Sequence, residues 1–176
     1  MSEPSPIHVP EKGIKVSWTL GIVGCLAAML CAGAAIIAPI LSSAGQSMQT
    51  NTCMDHLRRL SRASFLYAEE NGGLLPAEGW DTLLEPYEPD ELTYACPAQR
   101  RVDPRSSGYA LSKEVDGEVL DKIDNPTRTP LFFDSKVTVP GAIADPAEVP
   151  RPGRHRNNRA NNMAFVDGHV ETLNAP

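Results

Sequence analysis

Residues 18–41 read WTLGIVGCLAAMLCAGAAIIAPIL, a run of 24 positions without a charge. At 1.5 Å per residue, a helix of that length is about 36 Å long, against a hydrocarbon core of roughly 30 Å. The stretch therefore predicts a transmembrane helix over residues 16–41. Lys12 and Lys15 precede it and Trp18 stands where an interfacial aromatic would, so residues 1–15 read as a cytoplasmic tail. Arg58, Arg59 and Arg62 follow on the far side and blur that charge bias. A folded domain of this size crosses regardless of such charges, which places residues 42–176 outside. The alternative is a cleaved signal peptide ending near Ser42-Ser43-Ala44, but its apolar core would be only about 7–15 residues long.

Outward from the span, the chain reads as one domain. It has 176 residues, 41% apolar and 22% charged, a balance that excludes bulk disorder. The net charge of -6 argues against a nucleic-acid partner, whose electrostatic footprint would be basic. The polar run after Leu41 lacks proline, so the helix can continue. Leu57, Leu60, Ala63, Ser64, Phe65 and Tyr67 then recur near a 3.6-residue period until Asn71-Gly72-Gly73 supplies a stop. The expected fold is α+β: a long N-terminal helix, half transmembrane and half amphipathic, packed on a small antiparallel sheet. Its core would be Leu57, Leu60, Ala63, Phe65, Tyr67, Phe132, Phe133 and Phe165. Within the span, Gly24, Ala28 and Ala32, and Ala27, Cys31 and Ala35, form small-residue ridges suited to lateral helix pairing.

The clearest local signal is Asp167-Gly168 between short apolar runs, a hairpin over residues 160–174. A two-residue type I′ turn, with positive φ at both positions, would set Phe165 opposite Val170. Met163, Phe165, Val170 and Thr172 would then share the core face. Upstream, Arg154, His155, Arg156 and Arg159 form a basic patch. His155, Asp167 and His169 together could hold a divalent ion if His155 folds back onto the hairpin. Without that, Asp167 serves its turn and the other side chains bond locally.

These pieces resemble the bacterial type IV pilin-like, or pseudopilin-like, proteins that carry a C-terminal H-x9-DG processing-associated domain. Arg154-His155 through Asp167-Gly168-His169 is similar to that domain's signature, although eleven residues rather than nine separate His155 from Asp167. Cys53, Leu57, Leu60, Tyr67, Gly72, Pro76, Trp80, Tyr87, Cys96-Pro97 and Ser107-Gly108-Tyr109-Ala110-Leu111 follow the family's order. The resemblance implies a processing motif at Ser17, Trp18, Thr19, Leu20 and Ile22. There Ser17 stands for the glycine before the scissile bond, and Ile22 for the glutamate that pairs with a neighbouring subunit's N-terminus. It also implies a structural or interaction role in the cell envelope, as a minor component of a type II secretion or pilus-like system in the cytoplasmic membrane.

Cys53 and Cys96 fall in the external part, where an oxidising compartment permits a disulfide between them; two buried thiols are the alternative. No GxSxG, HExxH or phosphate-cradling glycine loop occurs, so no enzyme is expected. A membrane-tethered module that binds a metal ion or an anionic glycan through His155, Arg156 and Arg159 is the rival to the structural role.

Overall fold

The structure, a computed structural model, describes residues 14–175, with the side chains of 14–17, 19–20 and 39–43 excepted. Residues 1–13 of the expected tail, and the side chains of Ser17, Thr19 and Leu20, thus lie outside the described residues. The chain divides into two compact units, Met1–Ser43 and Ala44–Pro176. Helix α1 (Ile14–Glu70) contributes to both, and its two parts differ in what surrounds them.

In the first unit, the window Gly21–Ala38 has a mean hydropathy of 2.3 and none of it is buried. Trp18, Val23, Met29, Leu30 and Ile36 are exposed. A helix that is apolar all round and unburied is long and apolar enough to cross a bilayer.

In the second unit, α1 is amphipathic. Thr50, Cys53, Leu57, Leu60, Ser61, Ser64 and Ala68 are buried at three- and four-residue intervals. The buried Ser61 and Ser64 hydroxyls donate to the carbonyls of Leu57 and Leu60, so neither is left unpaired. The helix ends where Gly73 N–H reaches the Ala68 carbonyl, with Gly72 and Gly73 at positive φ.

Two short helices follow, α2 (Trp80–Leu84) and α3 (Pro97–Arg100). Five strands make the sheet: β1 (Tyr109–Ser112), β2 (Pro130–Asp134), β3 (Ile143–Ala144), β4 (Ala160–Phe165) and β5 (Val170–Asn174). Their order is β3-β1-β2-β4-β5. The sheet is mixed, not wholly antiparallel as expected, because β3 runs parallel to β1. The chain leaving β2 crosses to the edge of β1 away from β2 and runs there in the direction of β1, while β4 takes the other edge of β2.

Both faces of the sheet are covered. One carries the main core, where Cys53, Leu57, Leu60 and Ala63 of α1 join Trp80, Cys96, Tyr109, Leu111, Leu131, Phe132 and Ala164. The other carries Ala110, Phe133, Ala142, Ala144, Met163 and Phe165, with Val137 and Val149 against them. Two-sided burial is why β2 and β4 are buried at every position instead of alternating. It also corrects the expected core, since Phe133 and Phe165 face away from α1.

The hairpin corrects the expected turn. Phe165 N–H donates to His169 O and Gly168 N–H to Phe165 O, and of the turn residues only Gly168 has positive φ, at 89°. This is a three-residue loop closed by a left-handed glycine, not a two-residue I′ turn. Ala164 therefore pairs with Val170 and Met163 with Glu171. The shift of one position moves Val170 and Thr172 to the face of Ala164 and Asn162, opposite Met163 and Phe165.

Candidate functional site

Among the described residues, a buried polar cluster lies beside the main core, where four segments meet. Cys53 comes from α1 and Cys96 immediately precedes α3. Asp134 ends β2. His155 lies just before β4, in a bridge with Ala160 that its own N–H and carbonyl make. All four are buried, with His155 the most accessible at 3%.

The Cys53 and Cys96 sulfurs are 2.7 Å apart, and both residues are thiols in this structure. Cys96 Sγ lies 3.8 Å from His155 Nε2. The same nitrogen lies 3.1 Å from Asp134 Oδ2. The Asp134 carboxylate is the hub: Oδ2 accepts the Asn162 N–H at 2.6 Å and Oδ1 the Arg154 guanidinium at 3.1 Å. Arg154 also donates to the carbonyls of Gly108, at 2.5 Å, and Ser135, at 2.6 Å. A buried carboxylate needs such an array, because an unpaired charge in this core would be prohibitively costly. Tyr109 OH donates to Cys53 O at 3.5 Å, and Asn162 Nδ2 to Thr50 O at 3.3 Å, which ties the sheet to α1.

These surroundings split the acidities of the two thiols. Burial, helped by Cys96, pushes the Cys53 thiol far up. Burial would raise Cys96 too, but the hydrogen bonds from Cys53 and His155 outweigh it and bring Cys96 down to about 6. Burial alone would lower His155; its contacts with Asp134 and Cys96 reverse that and lift it to about 9. Both shifts favour a proton on His155 over one on Cys96.

Cysteine, histidine and aspartate are the residue types of a nucleophile, its base and an orienting acid. Here Cys96 and Asp134 both approach His155 Nε2, whereas a relay uses the two ring nitrogens separately. The thiol is also wholly shielded from solvent. The arrangement suits holding something in place more than attacking a substrate.

The expected metal trio is not assembled. Asp167 Oδ1 accepts from His169 N–H at 3.1 Å and pairs with His169 Nδ1, while the His169 ring stacks on Phe165 at 4.4 Å between centroids. His155 precedes the six residues of β4 and the Asp167 turn follows them. A strand of that length separates its ends by about 20 Å. Among the described residues, the donor group whose ligand atoms converge is Cys53, Cys96 and His155, within 4.8 Å of one another.

The basic patch is likewise divided, because Arg154 and His155 turn inward while Arg156 and Arg159 stay exposed. Asp134 is the member the sequence did not single out. Its only signal is a carboxylate directly after the apolar run Pro130–Phe133. No protein-family model matches the chain, and no curated protein and no solved structure matches it.

Proposed function

We propose that this protein is a membrane-anchored, pilin-like structural or interaction protein of the bacterial cell envelope, a minor component of a type II secretion or type IV pilus-like system. The observation that carries this reading is the dual character of α1. Its first part is apolar on every side and uncovered, and its second part buries one face in the core of a small α+β domain. In this reading the N-terminus is cytoplasmic and the domain lies in the periplasm or beyond. The ridges Gly24-Ala28-Ala32 and Ala27-Cys31-Ala35 support lateral association with a second helix in the bilayer. Ile22 lacks the carboxylate that would pair with an incoming N-terminal amine, so association would rest on close packing more than on that ion pair.

Intact mass and N-terminal sequencing of the protein from native membranes test this. A chain that begins at Trp18 supports processing and filament entry. A chain that retains residues 1–17 leaves a permanent single-pass anchor without filament assembly. A start near Gly45 overturns the anchor itself. The buried Cys53, Cys96 and His155 group favours a second reading, a membrane-tethered binding module in the same fold.

A further inference from the structure

We propose that Cys53, Cys96, His155 and Asp134 form a buried site for a thiophilic d10 metal ion, Zn2+ being the one its donor set suits best. Two sulfurs and one imidazole nitrogen already lie within 4.8 Å of one another, and the Asp134 carboxylate beside the imidazole would complete a tetrahedral zinc set by moving toward the sulfurs. Zinc–ligand distances of about 2.0–2.3 Å place neighbouring ligand atoms roughly 3.3–3.8 Å apart. The separation of Cys96 Sγ from His155 Nε2 is 3.8 Å, and that of His155 Nε2 from Asp134 Oδ2 is 3.1 Å. The two sulfurs, at 2.7 Å, would open by about 1 Å, within reach of a side-chain rotation.

The charges close as well. Two thiolates and one carboxylate carry -3, and the ion and the buried Arg154 guanidinium carry +3, so the core gains no net charge. Arg154 is already bonded to Asp134 Oδ1 and to two backbone carbonyls, and Asn162 N–H holds Oδ2. Such outer contacts fix a ligating carboxylate and commonly change affinity 10–100-fold. A disulfide between Cys53 and Cys96 would need no histidine 3.8 Å from Cys96 Sγ.

Binding displaces two protons, that of the Cys53 thiol and the one shared by Cys96 and His155, and no electron moves. A cleft of about 290 Å³ reaches His155, but Arg101, Arg154 and Arg156 line it. A bare cation would enter slowly past them, so loading would accompany folding.

The test uses the full-length chain, purified in detergent from native membranes without reductant or chelator. Elemental analysis should give close to one zinc per chain, and less than a tenth of that for the Cys53→Ser/Cys96→Ser pair and for His155→Gln. Chain refolded with Co2+ should show a sulfur-to-cobalt charge-transfer band in the near ultraviolet. Arg154→Gln should weaken Co2+ binding by about 10–100-fold. Alkylation mapped by mass spectrometry, with Cys25 and Cys31 as internal controls, reads the competing state. If Cys53 and Cys96 resist alkylation in denaturant until reduced, and the native chain carries no metal, they form a disulfide and the proposal fails. Zinc retained by the double serine variant, or a reduced wild-type chain that gives no charge-transfer band with Co2+, overturns it too.

Discussion

A single side chain, His56, shows how the core treats charge. It lies on α1, largely buried, and its Nδ1 is 3.2 Å from the Ala95 carbonyl. The Tyr109 ring meets it edge-on at 6.4 Å. Burial holds its pKa below the usual value of 6.5; the Ala95 contact, Asp90 and Asp55 favour its charged form, and Arg59 opposes it. A folded pKa below the unfolded one means that the unfolded chain binds more protons in that window. Stability is therefore full above about pH 6.5 and falls as the pH drops through the folded value. The melting temperature of the wild type should decline more steeply between pH 7 and pH 5 than that of His56→Gln. Any acid release of a bound metal is common to both proteins, so the difference between the two curves reports His56. Parallel curves would show that this histidine titrates normally.

Among the elements, the β4–β5 hairpin best shows how one residue sets a register. Asp167-Gly168 announces a turn in the sequence, and a turn is there. Its length was not legible, because the competing loops share Asp-Gly and differ in backbone contacts made elsewhere. Val166 N–H donates to the Thr129 carbonyl and Asp167 N–H to that of Pro126, so the 126–129 segment holds the three-residue form. Gly168→Ala should lower unfolding stability by about 1–2 kcal/mol in a denaturant titration, since φ of 89° suits only glycine. The new Cβ would also stand 3.4 Å from the Phe65 ring. Unchanged stability would mean that the turn can reset to the two-residue form. The segment before β4 is constrained differently. A Cβ on Gly153 would come within 2.5–2.9 Å of the Ala160 backbone, so only glycine lets Arg154 and His155 turn inward there.

On the scale of the whole molecule, the central question is whether α1 anchors the chain. Leu26 is exposed within the apolar window Gly21–Ala38. Arginine near the middle of a span costs about 2.5–3.5 kcal/mol on insertion scales. Leu26→Arg combined with Leu30→Arg should move the protein from the alkali-resistant membrane pellet to the soluble fraction. The same pair should leave the circular dichroism of the 44–176 unit unchanged. Continued retention in the pellet would show that something other than this helix holds the protein at the membrane.

The apolar run at residues 18–41, the helix period that continues to Glu70 and the hairpin signal were all readable from the sequence. Each is a local pattern, written within one or two turns of helix or a few residues of strand. The parallel placement of β3, the outward turn of Phe133 and Phe165 and the hairpin register were not, because each depends on which strand edge is already occupied. The site shows the same division. Cys53 and Cys96 stand out in the sequence as a pair, but there His155 groups with Asp167 and His169, its neighbours along the chain. Only the folded chain brings Cys53 from α1, Cys96 from the start of α3 and Asp134 from the end of β2 to His155. Ion-pair and hydrogen-bond contacts act over a few ångströms of space, and a charge buried by tertiary packing takes the partner that packing supplies, however far along the chain it lies.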